Sequence, residues 1–540
     1  MYSKYEERIL LKKQAFLFLV AAFINLCLFV TLLVLFNPIY DTNEDVYILY
    51  QLSGGFGSPP TELVHYNYGM HPYLNILIKN LFSYYPGINW YSIVLLVSHY
   101  MACCIILFEI IKRNKKVYAF LLYLSLYIIF EARLLLTINF TNSAIILAVA
   151  GLLLLFLNDT NRRPSIQQVV LPILILLFAS LLRIHVLVPL VGISIPFLFL
   201  HPYRKKFITV SLALIVAAGL ILTFNLLHES YYKAKIPGWQ PEENYRQRIY
   251  SFYNHSNLKN PTTWSKWNTE MGIIASGSPI DTNFISSQKL VQMEKDLKVP
   301  GTYSPKMSQT KNWFWINNRI FFLMVVILMA ISIKTKNLFL VSATSLILIT
   351  SGLYILNLYA KSLEYLKISC LFLFGLFVVV YFFENNLSKR VAALLNFSTI
   401  LISIWGTIQL YKADQKNIFQ TKLFRLAAQE ISKRPNQLFV VTSDTFPLQK
   451  FYIFDTPRQF LLRNFLAGEH FLQNIYKPVF AQYGIAQLNE LPLHSNVLFW
   501  GKRVPALENY LGVVHGREIL VSEIMDDFQH GEVRSISFKK

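Results

Sequence analysis

Three carboxylates, Asp41, Glu44 and Asp45, fall within five residues in the stretch Tyr40-Asp41-Thr42-Asn43-Glu44-Asp45-Val46-Tyr47. Carboxylates this close repel one another, so a fold that keeps them together raises the pKa of one or neutralises the group with a cation. Either outcome suits a general base or a metal site. The same residues also fit a plain structural role, as a negative patch that helps set topology or as a helix cap, with Asn43 or Asp45 capping the amphipathic run Val46–Leu52. His65 and His71 follow in the same loop and are candidate substrate-binding groups. With the acidic triplet they could hold a divalent cation such as Mg or Mn, although their spacing matches no strong ligand rule. His71-Pro72 also reads as the start of a helix with Pro in its first turn.

Cationic candidates lie further along. Arg183 and His185, in Leu181-Leu182-Arg183-Ile184-His185, interrupt an apolar stretch. A basic residue in lipid costs about 2.5–3.5 kcal/mol, so such a group faces a cavity, a partner or the headgroups. Lys361 and Lys367, with Glu364 and Tyr365 between them, precede another apolar run and are candidates for phosphate contacts, with Tyr365 against substrate. Arg133 with Glu131 reads as a local ion pair at a helix end, and Arg319 as a snorkelling residue. His99 and Glu109, inside an apolar run, are expected to find helix partners.

These residues must be positioned by elements whose solvent is lipid. Of 540 residues 54% are hydrophobic and 15% charged, with mean hydropathy +0.41. Apolar runs of the length that crosses about 30 Å of hydrocarbon recur. They lie near Gln14–Phe36, Trp90–Ile111, Val117–Leu135, Ile138–Leu157, Val169–Leu182, Val186–Leu200, Phe207–Leu227, Ile316–Ile333, Leu338–Leu358, Ile368–Phe383 and Val391–Tyr411. The expectation is an all-α polytopic membrane protein of about eleven transmembrane helices. The two runs around Arg183 are short and also fit a kinked hairpin. The first run is a full span with no small-residue cleavage site after it, unlike a signal peptide.

Lys and Arg gather in alternate short loops, from Lys12 and Lys13 through Lys112–Lys116, Arg162–Arg163, Arg204–Lys206 and Lys334–Lys336 to Lys389–Arg390. The loop Asn37–Asn89 holds Lys79 alone against four acidic residues. By the positive-inside rule the N-terminus is cytoplasmic, and the loops 37–89 and 229–315 and the C-terminus are external. The net charge of +20 is then a topology signal and an attraction to anionic headgroups, not a nucleic-acid footprint. All four cysteines fall inside predicted spans, so no disulfide framework is expected.

The chain divides into a membrane module, residues 1–411, and a soluble α/β domain, residues 412–540. The tail reads as a helix near Asn417–Lys433, strands near Gln437–Thr442 and Asn496–Trp500, helices between Pro457 and Tyr483, a short helix near Ala506–Leu511, and strands near Glu518–Val521 and Glu532–Phe538. The loop 229–315 is rich in Trp and Tyr, which gather at membrane interfaces and also stack on sugars.

A first span running into an acidic external motif, a following amphipathic segment, about eleven spans and an external C-terminal domain together resemble the GT-C class of polyprenyl-phosphate-sugar-dependent glycosyltransferases. That class includes bacterial aminoarabinose transferases, protein mannosyltransferases and a looser group of bacterial membrane glucosyltransferases. Its sequence-specific part is confined to the first hundred residues: Asn43-Glu44-Asp45 leading to Ser53-Gly54, and Pro86 to Tyr91. The resemblance implies an Asp as catalytic base. Here the pair is Glu44-Asp45 with Asp41 three residues before Glu44, which leaves Asp41 and Asp45 both in play and favours Asp45. It also implies a polyprenyl-phosphate-linked sugar as donor, with the phosphate near Arg183, His185, Lys361 and Lys367. The acceptor would be a glycan, lipid or protein, at the outer face of a bacterial cytoplasmic membrane. A lipid-phosphate leaving group needs charge neutralisation more than a general acid, so one carboxylate and nearby cations suffice for inverting transfer. The rival readings are a polysaccharide polymerase or ligase working through Arg and His, a sugar or lipid transporter, which would carry ionisable groups at mid-membrane, and an inactive relative serving as a subunit.

Overall fold

The computed structural model describes residues 2–64, 70–113, 117–157, 166–199, 207–254, 261–276, 280–297, 336–359, 370, 372–377, 389–441, 446–467, 479–522, 526–528 and 531–539. The chain begins with α1 (Tyr2–Leu35), a short strand β1 (Ile39–Tyr40), α2 (Asn43–Ser53) and α3 (Pro72–Tyr84). Then come α4 (Trp90–Arg113), and α5 (Val117–Leu126), which runs through a π-helical turn at Tyr127–Glu131 into α6 (Ala132–Leu136). Strand β2 (Thr137–Ile138) leads to α7 (Phe140–Leu157), α8 (Ile166–Arg183), α9 (Leu187–Ser194) and α10 (Phe207–Lys235).

Six helical stretches among the described residues are long and apolar enough to cross a membrane: Lys12–Leu35, Trp90–Arg113, Ala119–Leu136, Phe140–Leu157, Gln168–Phe199 and Phe207–Lys235. The expected span Leu338–Leu358 falls on α14 (Lys336–Tyr359), where Phe339–Ser351 is a shorter apolar helix. The expected spans at 316–333 and, for the most part, 368–383 lie outside the described residues.

Burial sorts the helices. α7 is 94% buried over its apolar window and forms the axis of the bundle, against 22% for α1 and 17% for α10. Phe16, Phe23 and Val34 on α1, and Ile208, Leu212 and Ile215 on α10, are exposed apolar side chains of the kind that lipid covers. The stretch Gln168–Phe199 reverses at Arg183, whose backbone is extended (φ −161°, ψ 110°). Arg183 donates to Thr141 at the start of α7. Phe197 stacks on Phe377, which contacts Phe156 near the end of α7. Past Arg183 the chain therefore runs back along α7.

The ionisable side chains His99, Glu131, Glu109 and Arg113 form two pairs inside the bundle. His99 Nδ1 lies 2.7 Å from Glu131 Oε1, both fully buried, and Arg113 pairs with Glu109 one turn away and reaches the Leu157 carbonyl. The expected Arg133–Glu131 pair does not form. The π-helical turn rotates Glu131 inward to His99 and leaves Arg133 exposed. The four cysteines are free.

Beyond the bundle, the segment after α10 builds α11 (Trp239–Asn254), α12 (Asn268–Ala275) and α13 (Ser287–Asp296). α15 (Lys389–Lys433) is continuous for 45 residues. It joins what the sequence reads as a span and a separate tail helix, because no Pro or Gly interrupts Tyr411–Lys416. Asn464 Nδ2 lies 2.9 Å from each of the Ile431, Arg434 and Gln437 carbonyls and caps the end of this helix.

A mixed sheet follows: β3 (Leu438–Val441), β4 (Phe465–Ala467), β5 (Val497–Trp500), β6 (Ile519–Val521), β7 (Asp526–Phe528) and β8 (Gly531–Phe538), with α16 (Pro505–His515) between β5 and β6. The order is β4-β3-β5-β8-β6, with β3 parallel to β4 and β5, and β8 antiparallel to β5, β6 and β7. The strands Leu-Phe-Val-Val and Val-Leu-Phe-Trp are apolar throughout, as strands buried on both faces are. Phe439, Val441, Leu498 and Trp500 join the core shared with the bundle. Leu438, Val440, Val497 and Phe499 join a second core with Tyr245, Ile249, Met271 and Leu290 from the loop helices. The alternation follows the two-residue period of a strand.

The first loop is joined to this tail. Asn89 Nδ2 donates to the Ile453 and Asp455 carbonyls and to Tyr40 Oη, while Asn89 Oδ1 caps α4 through the Ser92 amide. Ile39 bridges Tyr452, and Asp414 on α15 accepts from the Asn37 amide at 2.6 Å. Replacing Asn89 by Ala orphans these buried acceptors, which costs about 1–3 kcal/mol. The expected result is a lowered Tm in detergent and faster proteolysis in residues 446–462. Unchanged values for both would remove Asn89 from this role.

Candidate functional site

The acidic motif folds as the start of α2. Thr42, not Asn43 or Asp45, is the cap: its backbone is extended (φ −126°, ψ 152°), and its Oγ1 accepts from the Asp45 amide and donates to Asp45 Oδ2 at 2.6 Å. Gly54 closes the helix in the left-handed region at φ 75°.

Asp45 and Asp41, four residues apart, stand in opposite surroundings. Asp45 is fully buried. Its Oδ1 accepts from Tyr91 Oη of α4 at 2.8 Å and from the Phe140 amide at the start of α7 at 3.0 Å. One carboxylate thus ties together α2, α4 and α7. Burial pushes its pKa up to about 7, against the pull of the Thr42, Tyr91 and Phe140 hydrogen bonds and with a further push from Glu44. Asp41 is exposed, and Glu44 is half-buried. The Asp41 amide donates to the Ile138 carbonyl, and Asn139 Nδ2 donates to Asp41 Oδ2 at 3.0 Å. Asn139 Oδ1 accepts from the Asn142 amide, so this residue caps α7 and orients Asp41 together.

The tail completes the rim. Asn43 Oδ1 accepts from the Gln449 amide at 2.9 Å, and the Tyr40 amide donates to the Phe451 carbonyl. Lys450, between those contacts, lies within electrostatic reach of Asp41 and of Lys416 on α15. Burial and then the Lys416 charge pull its pKa down, while Asp41 pushes it up. Arg183, expected near the donor phosphate, donates to Thr141 Oγ1 at 2.9 Å and sits 5.1 Å over the Phe140 ring. Asp41, Asp45 and Arg183 therefore meet at the N-terminus of α7, where the helix dipole favours negative charge and the Phe140 amide is taken by Asp45.

His71 and His185 lie elsewhere, lining a cavity of about 190 Å³ between the ends of α8 and α10 and the start of α11. His71 caps α3 with Pro72 in the first turn, as its sequence suggests. Its Nδ1 accepts from the Tyr73 amide, so its Nε2 carries the proton and donates to the Phe224 carbonyl at 2.9 Å. Burial lowers its pKa against that bond. With both ring nitrogens engaged, His71 has no lone pair left for a cation. Among the described residues no three His, Cys, Asp or Glu side chains stand as a metal ion requires. His65, Lys361, Tyr365 and Lys367 lie outside the described residues.

Asn139, Lys416 and Lys450 are not singled out by the sequence, and Tyr91 enters there only as the end of the stretch Pro86 to Tyr91. Asn139 carried a signal, an Asn opening an apolar helical run. Lys450 and Lys416 carried none, because only the tertiary fold brings Lys450 within reach of Asp41 and Lys416 within reach of Lys450.

Comparison with protein-family models, with curated proteins and with solved structures returns no match to this chain.

The Asp45 pKa has a consequence for stability. Between the ordinary carboxylate value of 3.8 and about 7 the folded state holds a proton that the unfolded chain has released. Stability therefore falls as pH rises through that window and levels off above it. Asn at this position accepts from Tyr91 and Phe140 through its carbonyl and donates to Thr42 through its amide. Asp45→Asn is expected to be folded and to lose this pH dependence, measured as Tm at pH 4.5 and 7.5. An identical pH profile in both proteins would contradict the assignment.

Proposed function

We propose that the chain is an inverting membrane glycosyltransferase that moves a sugar from a polyprenyl-phosphate donor to a glycan, lipid or protein acceptor, at the outer face of a bacterial cytoplasmic membrane. The observation that carries this reading is the exposed Asp41 carboxylate, oriented by Asn139, within electrostatic reach of Lys450, which Lys416 in turn neighbours, at the rim of an apolar bundle. The membrane end where it lies supports the outer-face assignment. The loop bearing Asp41 and the helices α11 to α13 pack with the tail, and the basic end of α4 lies beside Leu157 at the far end of α7, where Arg113 reaches the Leu157 carbonyl.

In this reading Asp41 takes the proton of the acceptor hydroxyl as the acceptor oxygen bonds to the anomeric carbon. The electron pair of the glycosidic bond leaves with the lipid phosphate, whose charge Lys450, Lys416 and the start of α7 neutralise. Asp45, with both oxygens occupied inside the protein, acts as a positioning residue that holds the α7 terminus against α2. The exposed member of the acidic cluster is thus the base, not the Asp of the Glu44-Asp45 pair. Arg183, above Phe140, adds positive charge to the same rim. Lys361 and Lys367 stay candidates for the donor phosphate, with His65 and Tyr365 for substrate, and a divalent cation at the rim would serve the same neutralisation.

Asp41→Asn is expected to reduce transfer from a polyprenyl-phosphate sugar in a membrane assay by about 100-fold or more, the scale of a lost general base. Asp45→Asn retains activity to within several-fold. The reverse pattern would exchange the two roles, and full activity in both variants and the double variant would reject the mechanism. Mass spectrometry of lipid co-purified with the protein should find a polyprenyl phosphate or its glycoside.

A second reading, a transporter of lipid-linked sugar, is favoured by the buried His99–Glu131 pair within the bundle. His99 Nε2 and Glu131 Oε2 have no hydrogen-bond partner there, and ionisable groups inside a membrane often serve transport. That reading requires Glu131→Gln, not Asp41→Asn, to abolish function in sealed vesicles.

A further inference from the structure

We propose that the cavity at the outer ends of α8 and α10 is a binding site for a single neutral sugar ring. Its size limits the ligand first. At about 190 Å³ it holds roughly six waters and lies below the range of drug-sized pockets, so it fits one ring and not an oligosaccharide or an isoprenoid chain.

The wall limits the chemistry. His228, Tyr232 and Trp239 form a continuous ladder: His228 stacks on Tyr232 at 5.0 Å and 25°, and Tyr232 on Trp239 at 4.5 Å and 23°. Tyr232 is buried with both faces covered, so Trp239, half-buried at the end of the ladder and lining the cavity, is the ring whose outer face packs on the C–H face of a pyranose. Around it stand Asn225, Gln240 and Gln247, side chains that both donate and accept, as hydroxyl groups do, and Ser180, whose hydroxyl donates to the Leu177 carbonyl and keeps its lone pairs to accept.

The charges cancel. Glu243 pairs with Arg246 at 2.7 Å, and Glu229 faces Lys233 at 3.6 Å. His71 is neutral, its Nδ1 accepting and its Nε2 donating within the protein. A phosphate would meet the lining carboxylates Glu229 and Glu243 with only Arg246, already paired, to receive it. A neutral polyhydroxylated ring avoids that repulsion and can hydrogen-bond to the lining without bringing in a charge.

The last turn of α8 connects this cavity to the acidic rim. Ser180, Leu181, Ile184 and His185 line the cavity, while Arg183 of the same turn touches Thr141, two residues from Asn139. The inference rests on the transfer reading only for the purpose of the sugar, which would be a unit of the acceptor. The binding itself needs neither Asp41 nor Lys450.

Saturation-transfer difference NMR on the full chain in detergent, with the methyl glycosides of glucose, galactose, mannose and N-acetylglucosamine as probes, tests it. At least one glycoside is expected to show transfer to its ring C–H protons. Trp239→Ala and Gln247→Ala should lower that signal at least fivefold, Trp239→Phe should restore most of it, and Asp41→Asn should leave it unchanged. Absence of signal from all four probes with wild type would overturn the proposal. So would a signal that persists in folded Trp239→Ala and Gln247→Ala variants, or displacement of the glycoside by inorganic phosphate. Binding without sugar transfer would leave this site standing and remove the transfer reading, and transfer without binding here would do the opposite.

Discussion

The architecture depends on one buried carboxylate. Asp45 contacts the caps or faces of three helices at once: Thr42 before α2, Tyr91 on α4 and the first amide of α7. A buried acid is costly unless its oxygens are engaged, and each of these bonds offsets part of that cost. The geometry follows from the requirement. α7 must start where its amide can reach Oδ1, which brings Asn139 to Asp41 and sets β1 beside β2 in register Ile39↔Thr137. The acidic rim is therefore built from residues whose positions are consequences of an interior contact.

The second constraint is the two-faced sheet. Because β3 and β5 are apolar at every position, both faces must be covered. The bundle and first loop cover one, and α11 to α13 cover the other. The membrane module and the tail thus share a core, and residue 411 marks a change of composition without marking a gap in packing. The same sharing brings Lys450, remote in sequence, to Asp41.

Much of this was legible beforehand, and the reasons differ by element. Spans such as Phe140–Leu157 are long uninterrupted apolar runs, and lipid imposes helix on such runs whatever their neighbours. The strands near 438–441 and 497–500 stand out because β-branched and aromatic residues cluster between turn residues. The helix start at His71-Pro72 is local chemistry. In contrast, Phe465–Ala467 and Asp526–Phe528 are too short to carry a period, and their strand state comes from pairing with β3 and β8. The choice between Asp41 and Asp45 was equally hidden, because four residues apart on one short segment they differ only in which of them the remainder of the fold encloses.

Continuity of α15 carries a mechanical consequence. At 1.5 Å per residue its 45 residues make a rod of about 68 Å, longer than the bilayer is thick. The rod is bonded along its flank to Asn37 and to the Leu136 carbonyl through Asp414 and Asn417, and to Asp455 through Arg425. A helix adjusts its tilt to the thickness of the hydrocarbon around it. A tilt of this rod would carry with it both the sheet at its far end and the first loop bonded to its flank.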